Sequence, residues 1–552
     1  MKKPKLSELT LREKIGQTYI MREYTYKFTA DYKKYFEENP VGCLWSCGET
    51  RNDFTKVEAD LGRGIDATYI DDMQKDLVNM VNSLIKVPTI PVMDATNGIP
   101  ARKMNGHAGL PTAAGLGATR DPEIAFEYGK LLGEDLRLAG IRWLWSPVAD
   151  NAEHHRDLRE LSSDHENNIK LLTAFIKGVQ SAGVATGAKH FPGSDPYEYR
   201  DSHFCTSSYT QSFEYWCNTQ RKEFEACIAA GCDSIMVGHK TFRAVDDTEY
   251  DGRLLPCTLS KKVLTDLLRN EMGFEGVILT DDVAMKGFSA TFGIRKSYVM
   301  ALNAGIDMIL GPTDFDYIDI VEEAVKNGEI SESRIDDACQ RILDMKEKYG
   351  IFDTETYEYP TEEEREAVRE KIHALCEKMA AKGLSITCNS AGLVPMDKKA
   401  IKKVKIVYMG YSDEVYENLK YAVDEFEKHG AECTLQDDFT DKDNDTLDEF
   451  DLIVYATYIG FFAPEGGPFF FGQDCWKLQK IMTKCIDKSV GVSFGNTDIY
   501  FNYFTAAKTF VNCYSFNEET IRGFVKGLYG DIQFTDYHPF PLNPITRTNN
   551  VY

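Results

Sequence analysis

Short apolar runs alternate with longer amphipathic stretches through roughly the first 350 residues, and this alternation constrains the fold more than any other feature. The runs Val41–Trp45, Thr89–Met93, Arg142–Val148, Ala185–Ala188, Ser234–Val237, Gly276–Leu279 and Met308–Leu310 read as strands. Asp121–Leu138, Asn168–Ala182, Thr210–Ala230 and Ser260–Met272 carry apolar residues at helical spacing. Repeated strand–helix units imply a parallel sheet covered by helices, because a parallel connection needs a crossover long enough to return the chain. About seven such units in this length fit an α/β (β/α)8 TIM-type barrel better than a doubly wound sheet.

A charged helical stretch, Thr361–Lys382, separates this region from a second strand–helix block with strands predicted at Lys403–Met409, Asp451–Ala456, Ser489–Phe494 and Thr509–Val511. The chain therefore divides into a barrel over 1–355, a helical linker over 356–394 and a smaller open α/β sandwich domain over 395–552. The linker is helical rather than Gly/Ser-rich, which points to fixed docking. The tail His538–Tyr552 is non-periodic and proline-bearing, and is expected to pack as an extended strap or to fray.

Charge narrows the function. Lys and Arg total 63 against 87 Asp and Glu, a formal net charge of −24, and such a surface repels phosphate backbones and anionic lipid. Neither nucleic acid nor a membrane is an expected partner. No signal-peptide core follows the N-terminal lysines, and the 14 cysteines form no CxxC pair or metal-knuckle spacing. Reduced thiols in a cytoplasmic protein without metal or cofactor are the expectation. His154 and His155 lack a third ligand at helical spacing, so a solvated loop is the better reading there. GLG at Gly115–Gly117 lacks the third glycine and the preceding strand that a dinucleotide fingerprint requires.

Polar residues end several of the apolar runs. VMD closes on Asp94, SPVAD on Asp150, GAKHFPG on Lys189 and His190, MVGHK on His239 and Lys240, and VILTDD on Asp281 and Asp282. In a barrel these ends converge on one mouth, where active sites lie. After the third of them, KHFPGSDPYEYRDSHFCTSS is long enough for a lid and places Asp201 two residues before His203. An Asp accepting from one nitrogen of a His fixes its tautomer for proton transfer, although the same spacing also suits a solvated surface turn. Asp282 faces away from its neighbour along the strand, and is expected to cap the next helix or pair with a lysine.

KHFPG, then D-x-H, then TDDVAMKG, in that order, resembles glycoside hydrolase family 3, and the bacterial β-N-acetylglucosaminidase branch in particular. The resemblance runs over nearly the whole barrel, from LTLREKIGQ through LGATRDP to GIDMILGP. It implies a retaining mechanism with Asp281 as nucleophile and His203, held by Asp201, as acid/base. It also implies a sugar site formed by Asp94, Arg159, Lys189 and His190, with His239 and Met285 lining the pocket. Two departures fall where the sugar is recognised: the lid reads GSDPYEYRDSH in place of a Gly-His-Gly start, and MDATNGIPAR replaces Asp-Gln-Glu-Gly-Gly-Arg.

The resulting expectation is a β-glycosidase acting on a carbohydrate with terminal β-linked N-acetylhexosamine, GlcNAc first. A β-glucosidase, a phosphorylase of the same family, a catalytically silent sugar-binding barrel and a metal-dependent hydrolase are the alternatives. The aromatic segment GFFAPEGGPFFFGQ leaves three readings open: packing between domains, a homodimer contact, or reach toward the barrel mouth.

Overall fold

The computed structural model of the chain describes residues 2–22, 30–46, 70–96, 109–150, 158–198, 200–312, 316–354, 356–437, 446–459 and 485–540. They fall into two compact units. The first combines 1–108, 126–150 and 172–369; the second combines 109–125, 151–171 and 370–552.

In the first unit eight strands form one parallel sheet: β1 (Tyr19–Arg22), β2 (Cys43–Ser46), β3 (Ile90–Met93), β4 (Trp143–Leu144), β5 (Ala185–Phe191), β6 (Ser234–Val237), β7 (Val277–Thr280) and β8 (Ile309–Leu310). β8 pairs with β1, and pairing then runs in chain order to β7. A bridge between Leu279 and Met308 brings β7 back to β8, giving the expected TIM-type barrel. The apolar runs are near-continuous because these strands are covered on both sides. β3, β6 and β7 are buried at every position. Ile20, Val92, Trp143, Met236 and Leu279 share the interior cluster.

The closing seam between β7 and β8 is stitched partly by side chains. Asp307 N donates to Ile278 O (2.7 Å), Ile278 N to Asp307 Oδ2 (2.9 Å), and Leu310 N to Thr280 Oγ1 (2.9 Å). Asp307 is fully buried and also accepts from Arg269 (2.8 Å) and pairs with Arg334. Asp307→Ala removes the carboxylate paired with Arg269 and one of the two paired with Arg334, which keeps Asp337, and is expected to cost about 3–5 kcal/mol in chemical denaturation. A loss below about 1 kcal/mol would contradict this account of the closure.

The second unit holds a six-stranded sheet of β9 (Ser385–Asn389), β10 (Lys403–Gly410), β11 (Glu432–Gln436), β12 (Leu452–Tyr458), β13 (Ser489–Ser493) and β14 (Thr509–Asn512), in the order β9-β14-β13-β12-β10-β11. β9 is antiparallel to β14 and the other pairs are parallel. Val404, Ile406, Val454, Val490 and Phe524 share its core. The GLG of Gly115–Gly117 lies within helix Ala113–Thr119, and a Cβ on Gly117 would lie 1.5 Å from the Leu161 carbonyl oxygen. Glycine serves close backbone approach there, not phosphate. Thr535, just before the tail, bridges to Ser385, and within the tail Pro539 O accepts from Ser163 N at 2.9 Å. Residues 541–552, the histidines 154 and 155, and the aromatic segment 460–473 lie outside the described residues.

Candidate active site

Parallel strands deliver their C-terminal residues to one end of the barrel. β3 is followed directly by Asp94, β5 carries Lys189 and His190, and β7 is followed directly by Asp281. Lys189 is buried (side chain 1% exposed) and donates from Nζ to Asp94 Oδ1 at 2.6 Å, while Asp94 keeps 34% exposure toward solvent. Asp150, beyond β4, accepts from the His190 backbone N–H (2.9 Å) and from Nδ1–H (2.8 Å). Burial pushes the Asp150 carboxyl up, but the charges of His190 and Lys240 outweigh it and bring it down to about 2. As a carboxylate it fixes the His190 ring, whose Nε2 lies 3.9 Å from Asp281 Oδ2.

The segment after β7 is the hub. Asp281 N donates to Val237 O (3.0 Å), and its carboxylate, 21% exposed, accepts the Asp282 N–H at Oδ1 (2.8 Å). Asp282 accepts from Ala284 N (2.9 Å) in its own turn rather than capping the next helix, whose N-cap is Met285, and its cationic partner is Arg22 rather than a lysine. The Asp282 carbonyl accepts from His239 Nε2 (3.1 Å), and the Thr258 hydroxyl donates to His239 Nδ1 (3.1 Å). Burial lowers His239 to about 4 although Asp281 favours its protonation, so His239 is a neutral Nε2–H donor. Met285, 7% exposed, donates its N–H to Asp282 O (3.0 Å) and precedes helix Lys286–Phe292.

The loop after β5 is tied at several points. Asp195 accepts from Tyr197 N (2.7 Å) and Thr210 Oγ1 (2.7 Å), and Glu198 accepts from Ser208 N (2.9 Å). Within the loop, Asp201 Oδ1 accepts from His203 Nδ1 (2.7 Å) and from His203 N (2.9 Å). Burial pushes the Asp201 carboxyl up, the bonds to His203 outweigh it and hold it below its ordinary value, and the Asp281 charge opposes them. His203 keeps 41% side-chain exposure. The loop is fastened to the hub by Lys286 N donating to His203 O (3.1 Å) and Gly287 N to Ser202 O (3.0 Å). A Cβ on Gly287 would lie 2.7 Å from His239 Cβ and 3.1 Å from Ser202 O, so a side chain there would push the two apart.

Eight of the nine residues singled out from sequence lie in the first unit: Asp94, Lys189, His190, Asp201, His203, His239, Asp281 and Met285. Arg159 belongs to the segment 151–171 of the second. Arg22 is not among the nine, although it carries the same signal, a charge closing an apolar run. Its strand follows helix Leu11–Gln17 with a single residue between them, so no turn residues announce it. Among the described residues no His/Cys/Asp/Glu group is arranged to hold a metal ion, and no helix is long and apolar enough to cross a membrane.

A β-N-acetylglucosaminidase/β-glucosidase of Cellulomonas fimi is 26% identical over 343 residues, which make up 60% of this chain and 60% of that protein. The solved glycoside hydrolase family 3 β-N-acetylglucosaminidase from Paenibacillus sp. str. FPU-7 superposes with a TM-score of 0.78 at 25% identity, covering 97% of this chain and 99% of that one. The β-glucoside phosphorylase BglX bound to 2FGlc gives a TM-score of 0.83 at 20% identity, over 98% of this chain and 95% of that one, a likeness of fold. Residues 10–345 match the description "Glycosyl hydrolase family 3 N terminal domain", and with that match the chain belongs to glycosyl hydrolase family 3.

Proposed function

We propose that the chain is a retaining β-glycosidase that removes terminal β-linked N-acetylhexosamine, GlcNAc first, through a covalent glycosyl-enzyme. The observation that carries the reading is the fastening of the loop bearing the Asp201–His203 pair, through Lys286 and Gly287, to the same short segment that begins with Asp281. A retaining enzyme needs a nucleophile on one face of C1 and a proton donor beside the leaving oxygen. Asp281 attacks C1 and the glycosidic C1–O bond breaks, while His203 Nε2–H gives its proton to the departing oxygen. Water then attacks C1 from the side the leaving group vacated. Neutral His203 takes its proton, and the Asp281 carboxylate is released.

Asp201 holds His203 through Nδ1, which leaves the proton to move at Nε2, and an imidazole can both give and take that proton. Asp94, Lys189 and His190 are the groups for the sugar hydroxyls; buried Met285 and neutral His239 are the pocket lining. The named activity of the Paenibacillus relative, and one of the two named for the C. fimi relative, support the choice of N-acetylglucosamine.

A panel of 4-nitrophenyl β-glycosides, run with and without phosphate, tests this. The N-acetylglucosaminide is expected to be the fastest substrate, to release free sugar, and to be indifferent to phosphate. Acceleration by phosphate with a sugar 1-phosphate as product would make it a phosphorylase, since an imidazole acid/base does not repel a phosphate acceptor. Glucoside preference would move the specificity, and no turnover of any glycoside would leave a sugar-binding barrel.

A further inference from the structure

Asp281 stands beside the seam at which β7 meets β8. β8 contributes only Ile309–Leu310, and it meets β7 through the Leu279–Met308 bridge, the ties at Ile278 and Thr280, and Val283 N donating to Leu310 O at 3.1 Å. Beyond Thr280, Asp281 N still donates to Val237 O at 3.0 Å, which fixes the backbone but leaves the direction of the carboxylate open.

Asp282 sets that direction. Its N–H donates to Asp281 Oδ1 at 2.8 Å, its carbonyl accepts from buried His239 at 3.1 Å, and its carboxylate accepts from Ala284 N at 2.9 Å and pairs with the Arg22 guanidinium. Arg22 is the last residue of β1, which lies on the other side of β8, so the ion pair spans the seam. The guanidinium lies over the Trp45 ring, 4.6 Å from its centroid, which orients it. Gly311, just beyond β8 with φ at +68°, keeps the slot open: a Cβ there would lie 3.1 Å from Asp282 Oδ1.

We propose that Arg22 is a positioning residue for the nucleophile. By gripping the Asp282 carboxylate across the seam it fixes the Asp282 peptide, whose N–H holds Asp281 Oδ1 and leaves Oδ2 aimed at the sugar. The inference rests on the reading of Asp281 as nucleophile. Without the guanidinium the two adjacent carboxylates repel each other, the 281–282 peptide turns, and the nucleophile loses its line of attack. A displacement of about 1 Å at reacting atoms is enough for a loss on the order of 10²-fold.

The experiment uses the full chain and a 5-fluoroglycosyl fluoride of whichever sugar it turns over, with the labelled peptide mapped by mass. Wild-type protein is expected to be labelled on Asp281. Arg22→Gln is expected to be labelled on the same residue about 10²-fold more slowly, with KM for the aryl glycoside within about threefold of wild type. Arg22→Lys, which restores the charge but not the fork, is expected to recover part of the rate. Labelling of Arg22→Gln at the wild-type rate overturns the clamp. Labelling of wild-type protein on another residue overturns the nucleophile assignment instead, and the clamp with it. Should Arg22→Gln fail to fold, Asp282→Asn breaks the same ion pair from its other side and is read in its place. The same slowing is expected, and an unchanged rate overturns the proposal.

Discussion

Asp281→Ala is expected to lower kcat by at least about four orders of magnitude for every glycoside, activated or not, as loss of a covalent nucleophile does elsewhere. No neighbour can replace it. The Asp282 carboxylate is engaged by Arg22 and the Ala284 N–H, and His190 Nε2 stands 3.9 Å from Asp281 Oδ2 with its ring fixed by Asp150. Folding should be nearly unaffected, because the carboxylate is partly exposed and accepts only the Asp282 N–H among the bonds described for it. Melting within a few degrees of wild type therefore accompanies the loss. Added azide is expected to restore turnover and to yield the α-glycosyl azide, since it enters on the face that the carboxylate vacates. Retention of activity within tenfold would remove Asp281 from the chemistry.

His203→Ala separates two substrate classes. For poor leaving groups the glycosidic oxygen must be protonated as the bond breaks, and the loss is expected to be about 10²–10⁴-fold. For 2,4-dinitrophenyl glycosides the leaving group needs no proton, so release of the first equivalent should slow by less than about tenfold. The later attack of water loses its base, and glycosyl-enzyme accumulates as a burst. Asp201→Asn should show the same ordering in weaker form, because the ring remains but its tautomer is no longer held. Equal losses for both substrate classes in His203→Ala would mean that this imidazole does not carry the proton.

How much of this was legible in the sequence follows from where each signal comes from. Strands buried on both faces announce themselves as apolar runs, so seven of the eight barrel strands could be read directly, with ends displaced by a few residues. β1 was lost because the helix Leu11–Gln17 reaches almost to its first residue and merges with it as one apolar pattern. In the second unit the missed strands β9 and β11 are the two edges of their sheet, half-exposed, with mixed residues such as Ser385–Asn389. An edge strand buries one face at most, and its pattern fades accordingly.

The site was legible wherever a polar residue ended an apolar run. Asp94, Lys189, His190 and Asp281 could be placed that way without any knowledge of pairing. The Asp201–His203 contact could be suspected from spacing alone, although the same spacing suits an ordinary turn. Its docking onto Lys286 and Gly287 could not be foreseen, because backbone hydrogen bonds between distant loops leave no trace in side-chain identity. Gly287 was the one visible hint, and a glycine in a loop has many other reasons to be there. The Arg22–Asp282 pair joins residues at opposite ends of the barrel sequence, and only the closed sheet brings them together.

The fastening of the lid through Lys286 and Gly287 has a consequence for how the site tolerates thermal motion. Both proposed catalytic residues are referenced to the same few residues of chain: Asp281 begins that stretch, and the loop bearing His203 is pinned to its far end. When the rim breathes, the two move as passengers on one carrier, and the gap in which C1 must sit changes less than either position does.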